Sequence, residues 1–173
     1  PSIIKIANMT STSAQDAASG LLGNPFSLSG RVALVTGSSK GLGKGIAMAL
    51  GRAGAKVAMN YANHAGKAEQ TFSEFQAEGL EGMLVRGDVT DAGAVQTMVG
   101  QVTAGLGPVD ILVLNATCEQ PQLPIEEYDW TFYQKMLDFF IKSPFLLTKA
   151  CLAHMKQQGW GRIVNIGSEV FQR

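Results

Sequence analysis

Short apolar segments alternate with amphipathic segments along this chain, and this alternation restricts the possible folds more than any other feature of the sequence. The apolar segments are residues 31–36, 56–60, 82–86, 110–114 and 162–166. The segments between them, residues 45–52, 66–78, 92–104 and 126–157, have the apolar spacing of helices, and Pro144 is expected to kink or interrupt the last one. Apolar strands without polar alternation are typical of parallel sheets that are covered on both faces. With right-handed crossovers, this order predicts an α/β fold with a doubly wound, Rossmann-type parallel sheet.

The turn between the first strand and the first helix is rich in glycine and reads Thr-Gly-Ser-Ser-Lys-Gly-Leu-Gly over residues 36–43. Glycines let the backbone turn tightly and approach a pyrophosphate closely, and the following helix directs free N–H groups at the anion. Glycines also serve plain turns that bind nothing. Here they lie between an apolar strand and an amphipathic helix, which is the context that favours a dinucleotide-binding loop.

The strand–helix pattern begins near Leu28 and stops shortly after the fifth strand, without a helix to cover that strand. We therefore expect residues 28–173 to form a dinucleotide-binding Rossmann-type domain that is incomplete at its C-terminal end, as the N-terminal part of a longer domain. A stand-alone domain is the less favoured alternative, because an unfinished sheet exposes strand edge and apolar helix surface. Residues 1–27, rich in Ser, Ala and Gly towards their end, are predicted to be a flexible leader.

Composition excludes several classes of protein. Lys plus Arg equals Asp plus Glu at 14 each, so the chain has no net field to attract nucleic acid or an anionic membrane, although a local basic patch remains open. No apolar run is long enough to span a bilayer. Cys118 and Cys151 match no metal or redox spacing. We predict no metal site, no nucleic-acid or membrane partner, and two reduced thiols in a cytoplasmic protein, with a disulfide the less favoured option.

Three further segments follow later strands in the same way as the glycine-rich turn follows the first. They are Asp88-Val89, Asn115-Ala116 and the stretch Gly-Arg-Ile-Val-Asn-Ile-Gly-Ser that ends at Ser168. Together with the Gly-x-x-x-Gly-x-Gly spacing of the first turn, and in this order, they resemble the short-chain dehydrogenase/reductase family. The resemblance covers about residues 28–173 and is nearest in style to 3-oxoacyl-(acyl carrier protein) reductases and similar ketoreductases.

The resemblance implies a role for each segment. Asp88 would accept a hydrogen bond from the adenine amino group, Asn115 would tie strands together beside the cofactor, and Ser168 would polarise the substrate carbonyl. From the residues alone, Asp88 could instead cap the next helix, Asn115 could be an ordinary turn residue, and Ser168 could be an N-cap. The predicted cofactor-binding residues are Gly37, Ser39, Lys40, Gly41, Leu42, Gly43, Asn60, Asp88, Val89, Asn115 and Ala116; Ser168 is the predicted catalytic residue.

The end of the second strand indicates which dinucleotide is preferred. An acidic side chain at this place would bind a ribose 2′-hydroxyl and repel a 2′-phosphate, but residues 59–64 contain no carboxylate. Lys40 could pair with a 2′-phosphate, and Asn60 and Ser39 could add hydrogen bonds. The alternative for Lys40 is a solvated loop lysine. The sequence therefore favours NADP(H), with NAD(H) as the other option.

By resemblance, the function is that of an NADPH-dependent oxidoreductase of the ketoreductase or alcohol dehydrogenase type. It would transfer a hydride between nicotinamide and the carbonyl or hydroxyl group of a small molecule. A homodimer or homotetramer packed through the helix at residues 130–155 is the expected assembly. The alternative is a non-catalytic dinucleotide-binding or sensor protein of the same fold.

The chain departs from the family pattern in three places. The family's catalytic Tyr-x-x-x-Lys is absent, since none of Tyr61, Tyr128 and Tyr133 precedes a lysine by four residues. The 173-residue chain alone is therefore expected to be inactive. Phe140 occupies the place of an asparagine that anchors a proton-relay water in the family. Thr117 stands where a glycine is common and would bring a Cβ close to the nicotinamide.

Overall fold

The computed structural model describes residues 26–121 and 123–167, which form a parallel sheet with helices on both faces. The strands are β1 (Val32–Val35), β2 (Lys56–Tyr61), β3 (Gly82–Arg86), β4 (Ile111–Leu114) and β5 (Arg162–Asn165). The α-helices are α1 (Gly41–Arg52), α2 (Ala65–Ala77), α3 (Ala92–Gly105), α4 (Trp130–Leu137) and α5 (Ser143–Gln157). The predicted leader lies almost wholly outside the described residues, as does Ser168.

The sheet has the strand order β3-β2-β1-β4-β5, and every adjacent pair is parallel. The chain therefore winds outward from β1 to β3, then returns past β1 to β4 and β5. The winding direction reverses between β1 and β4, where Val35 is in register with Val113. Open parallel sheets bind ligands in the crevice beyond the carboxyl ends of the strands at this reversal. The predicted fold class is confirmed.

The two faces of the sheet carry separate apolar cores. Leu34 and Leu112 belong to the core shared with α3 and α5, whereas Val35 and Val113 point to the opposite core, beneath α1 and α2. Successive strand residues point to opposite faces, so a strand that is buried throughout must be apolar throughout. Each such side chain contributes roughly 1.5–3 kcal/mol through burial.

Helix α1 begins at Gly41, which is earlier than the expected start at residue 45. Gly41 and Gly43, which the sequence predicts in the turn, form the first turn of the helix. The helix consequently starts closer to the end of β1 than predicted. Its N-terminal N–H groups lie immediately beyond the loop.

The predicted helix at 126–157 consists of several parts. A 3₁₀ turn at Ile125–Glu127 precedes α4, and a π-helical turn at Asp138–Lys142 joins α4 to α5. Pro144 lies at the start of α5. A proline lacks an N–H donor and its ring clashes with the carbonyl four residues earlier, so a wider π turn just before it relieves the clash. The expected interruption near Pro144 is this π turn.

Strand β5 lies at the edge of the sheet and, within the described ranges, pairs with β4 alone. Val164 at its centre is 43% exposed.

Among residues 26–121 and 123–167, no helix has the length and apolar character needed to cross a bilayer.

Candidate functional site

The turn after β1 requires glycine at its two bends. Gly37 has φ +63° and Gly41 has φ +56°, in the left-handed region that other L-residues adopt at a cost of roughly 1–2 kcal/mol. A Cβ on Gly37 would also lie 2.9 Å from the Cα atom of Ala116. The loop backbone therefore passes directly against the segment that follows β4.

Gly43 is required for a different reason, because at this residue α1 packs directly against Asn115 and the carbonyl of Gly37. A Cβ at this position would lie 2.5 Å from both Nδ2 of Asn115 and the carbonyl oxygen of Gly37. Gly45, two residues further along the same helix, has no atom within 4 Å of its corresponding position. A side chain could therefore be added at Gly45 without a clash, but not at Gly43.

Thr36 and Asn115 connect the ends of β1 and β4. The Thr36 hydroxyl accepts hydrogen bonds from the N–H groups of Asn115 (2.9 Å) and Ala116 (3.0 Å), and donates to the carbonyl of Val113. The Asn115 amide donates to the carbonyls of Thr36 (2.8 Å) and Gly37 (3.1 Å). Asn115 is therefore far more than an ordinary turn residue, since it holds the loop carbonyls in fixed directions.

Asn60 does not lie where the sequence analysis expected. Its side chain is buried, with 2% exposure, and its Oδ1 accepts a hydrogen bond from the N–H of Gly37 at 3.3 Å. Its Nδ2 donates to the carbonyl of Gly87 at 3.0 Å. These contacts use both ends of the amide inside the protein. The predicted direct contact between Asn60 and a 2′-phosphate is thus corrected: Asn60 connects the glycine loop to the segment after β3.

The outer part of the loop is held by α2. Thr71, which is 4% exposed, donates a hydrogen bond from its hydroxyl to the carbonyl oxygen of Ser39 at 2.8 Å. Ser38 is also buried, and its N–H donates to the carbonyl of Asn60 at 2.9 Å. Of the serines in the loop, only Ser39 therefore has a partly exposed side chain.

The N-terminus of α1 opens onto solvent beside the loop. Lys40 occupies the N-cap position, and its side chain makes no capping hydrogen bond. Leu42, in the first turn, is 63% exposed. Lys44 pairs with Glu74 of α2, whereas no carboxylate of the described residues lies within ion-pair distance of Lys40. Uncapped N–H groups beside an unpaired ammonium make this end of the helix attractive to anions.

Asp88 is exposed at the end of β3, and its Oδ1 accepts hydrogen bonds from the N–H and hydroxyl groups of Thr90. Asp91, not Asp88, caps α3 by accepting from the N–H of Ala94. The capping alternative for Asp88 is therefore wrong. The side chain of Val89 is buried in the core and is closed to a ligand, so only its backbone remains available to one.

Two of the departures from the family pattern, Thr117 and Phe140, lie among the described residues. Thr117 is exposed, and its hydroxyl donates to the carbonyl of Cys118. Phe140 lies in the π turn with 39% exposure.

Cys118 and Cys151 are both free and buried. Burial raises the pKa of the Cys151 thiol to about 12.

The structure thus brings the loop residues, Asn60 and Asn115 together into one network around Gly37. Thr36 and Thr71 belong to this network but are not among the predicted site residues. The hydrogen bond of Thr71 joins positions 32 residues apart. A threonine in an amphipathic helix gives no local signal of such a contact.

Comparison with known proteins places these features in a family. A family model described as short chain dehydrogenase matches residues 31–172. The gluconate 5-dehydrogenase of Gluconobacter oxydans is 39% identical over 143 residues, which are 83% of this chain and 55% of that protein. The 3-oxoacyl-(acyl carrier protein) reductase of Staphylococcus aureus is 34% identical over 140 residues, covering 80% of this chain and 56% of that protein.

A solved structure gives the same result. The gluconate 5-dehydrogenase from Burkholderia cenocepacia, in complex with NADP and tartrate, superposes with a TM-score of 0.75 at 32% identity, covering 83% of this chain and 55% of that one. The chain therefore spans about half the length of the relatives it matches.

Proposed function

The chain belongs to the short-chain dehydrogenase family, and from this premise we propose that the protein is an NADPH-dependent oxidoreductase of the ketoreductase or alcohol dehydrogenase type. Its reaction would transfer a hydride between the nicotinamide and a carbonyl or hydroxyl group of a small molecule. The relatives support an oxidoreductase in general. The cofactor and the substrate class are the proposed parts.

One observation carries the proposal: the glycine loop is bent tightly, packs against the segment after β4 and is held in that shape by hydrogen bonds. Gly37 and Gly41 bend the backbone, and Gly43 lets α1 approach Asn115. The network of Thr36 and Asn115 fixes the loop carbonyls. A preorganised loop at the reversal point of a parallel sheet, next to an uncapped helix, fits a pyrophosphate.

The residues present fit a dinucleotide in its other parts as well. The backbone N–H groups of Gly41 and Leu42 would hold the pyrophosphate, and Asp88 would accept from the adenine amino group through its carboxylate. Asn115 and Ala116 would lie beside the nicotinamide end. When bound, this cofactor supplies or accepts the hydride.

The preference for NADP(H) rests on charge. Lys40 has no carboxylate partner among the described residues, and residues 59–64 at the end of β2 contain no acid to repel a 2′-phosphate. Ser39, half-buried next to Lys40, has a hydroxyl that could add a hydrogen bond. The Burkholderia cenocepacia relative was solved with NADP, which agrees with this preference.

For the chemical step, we propose that Ser168 donates a hydrogen bond to the substrate carbonyl. The 173 residues contain no Tyr-x-x-x-Lys, so they do not supply the general acid used by the family. Activity is therefore proposed for the complete protein.

We also propose a cytoplasmic location.

We further propose self-association through α4 and α5. Trp130 of α4, Ile141 of the π turn and Phe145 of α5 are 70%, 66% and 62% exposed. Exposed apolar side chains that succeed one another along a surface are typical of an interface between protein chains. A homodimer or homotetramer would cover them.

The alternative is a non-catalytic dinucleotide sensor, and Phe140 is the observation that favours it. An apolar ring in the π turn cannot hold a relay water by hydrogen bonding. Such a protein would keep the loop and bind the dinucleotide without turnover.

Two measurements on the complete protein test the proposal. Titration followed by the fluorescence of the reduced nicotinamide should show tighter binding of NADPH than of NADH. Oxidation of NADPH should then be followed with a panel of ketones and keto acids, with a Ser168→Ala variant as the control for the chemical step. Binding without turnover on any substrate would favour the sensor, and failure to bind either dinucleotide would refute both functions.

A further inference from the structure

We propose that Thr71 is a positioning residue that presets the glycine loop for a 2′-phosphorylated dinucleotide. The inference rests on the proposed function, because it assigns to α2 a part in the cofactor preference. Thr71 itself touches no cofactor. It would act through the peptide bond between Ser39 and Lys40.

The contact is unusual for a threonine inside a helix. Such a hydroxyl commonly donates to the carbonyl four residues earlier in its own helix. Thr103 in α3 does this, bonding the carbonyl of Val99 at 2.9 Å. The Thr71 hydroxyl instead leaves its helix and donates to the carbonyl of Ser39 at 2.8 Å. The side chain is 4% exposed, so water has little access to replace it.

This hydrogen bond determines which way the next N–H points. The described residues contain no cis peptide bond, and in a trans peptide the carbonyl and the following N–H point in opposite directions. Because the Ser39 carbonyl faces α2, the N–H of Lys40 points away from α2. Thr71 therefore orients the peptide plane at the N-cap of α1.

The same constraint acts on the side chain of Lys40. Lys40 has extended backbone angles, φ −161° and ψ 175°, and is followed by Gly41 with φ +56°. A glycine in that position adds little stiffness of its own. A second contact, the Lys44–Glu74 ion pair, holds α1 to α2 but lies beyond the N-cap. The N–H of Lys44 donates to the carbonyl of Lys40 at 3.2 Å and so holds the helical side of this residue. The Thr71 bond holds the peptide that precedes Lys40, and the two together fix the backbone from which the Lys40 ammonium extends.

The consequence is specific to the 2′-phosphate. NADPH and NADH share the pyrophosphate, so a general loosening of the fold should weaken the binding of both to the same extent. Loss of the Lys40 orientation should weaken the binding of NADPH alone. The ratio of the two dissociation constants therefore separates a positioning role from a structural one.

The experiment compares Thr71→Val with Thr103→Val in the complete protein. Both substitutions remove one hydroxyl from a helix and keep the side-chain shape. We expect Thr71→Val to reduce the preference for NADPH over NADH by roughly 3- to 10-fold, the value of one hydrogen bond. Thr103→Val should leave the ratio unchanged, and Thr71→Ser should restore it.

The outcomes distinguish the two proposals. A wild-type protein that binds neither dinucleotide, or binds both equally, refutes the proposed cofactor and this inference with it. A wild-type preference for NADPH that Thr71→Val leaves intact refutes the role of Thr71 alone. If circular dichroism shows that Thr71→Val does not fold, Thr71→Ala provides the same ratio without a misplaced methyl group.

Discussion

Replacement of Gly43 by alanine tests how far the closeness of α1 to the loop controls dinucleotide binding. The added methyl group would lie 2.5 Å from Nδ2 of Asn115 and 2.5 Å from the carbonyl oxygen of Gly37. Carbon atoms in contact with such atoms normally stay beyond 3 Å, so one of these groups must move. The carbonyl belongs to the backbone, and Asn115 is held by its bond to the carbonyl of Thr36. Movement therefore breaks the Asn115 network.

The size of the effect follows from the bonds at stake. Alanine gains about 1 kcal/mol over glycine inside a helix. Against this, the bonds from Asn115 to the carbonyls of Gly37 and Thr36 contribute about 1 kcal/mol each, and an unpaired buried group costs about 1–3 kcal/mol. If both bonds are lost, the free energy of unfolding is therefore expected to fall by about 2–4 kcal/mol. The dissociation constant for NADPH is expected to rise about 10-fold or more, because the loop loses its fixed shape.

Gly45→Ala is the matched control. It lies in the same helix, and a Cβ there meets nothing within 4 Å. It should raise the free energy of unfolding by about 0.5–1 kcal/mol and leave NADPH binding unchanged. Binding is measured by nicotinamide fluorescence, and stability by urea unfolding. A folded Gly43→Ala protein that binds NADPH as tightly as Gly45→Ala would refute the reasoning.

Three further changes have expected outcomes. Lys40→Met should weaken NADPH binding about 10-fold and leave NADH binding unchanged, as measured by titration of both; equal weakening of the two would contradict a contact with the 2′-phosphate. Asp110→Ala should lower the free energy of unfolding in urea by about 1–3 kcal/mol, because the carboxylate that accepts a hydrogen bond from the buried N–H of Val32 is lost. As a control, Glu81→Ala removes an exposed ion pair and should change this free energy by less than about 1 kcal/mol. For Cys151, burial raises the pKa of the thiol from 9.0 to about 12, so the folded state holds this proton more tightly than the unfolded state. The contribution of the thiol to folding stability is therefore present below pH 9.0 and is lost as the pH rises towards about 12. Cys151→Ala should therefore flatten the alkaline part of the stability profile, and an unchanged slope would count against this thiol.

Much of the fold could be read from local pattern. The apolar segments lie at the observed strands to within a residue or two, because a strand buried on both faces must be apolar along its whole length. Helix ends were less predictable. The start of α1 at Gly41 depends on where β1 ends against β4, which no local pattern records.

The candidate site divides in the same way. The sequence could locate the glycine loop and Asn115, since both follow apolar strands and a parallel sheet brings strand ends together. It could not show that Asn60 turns inward. An amide near the end of a strand looks available to a ligand until the neighbouring carbonyl of Gly87 and the N–H of Gly37 are in place to bind it.

The order of elements, the family and the place of the glycine-rich turn follow from the sequence alone, because they depend on apolar periodicity and on residues adjacent in the chain. Which side chains hold that turn in shape depends on the tertiary structure. Thr71 and Ser39 lie 32 residues apart and become partners only when α2 packs against the sheet beside α1. A hydrogen bond depends on distance and direction in space, and such geometry between distant segments has no counterpart in local sequence.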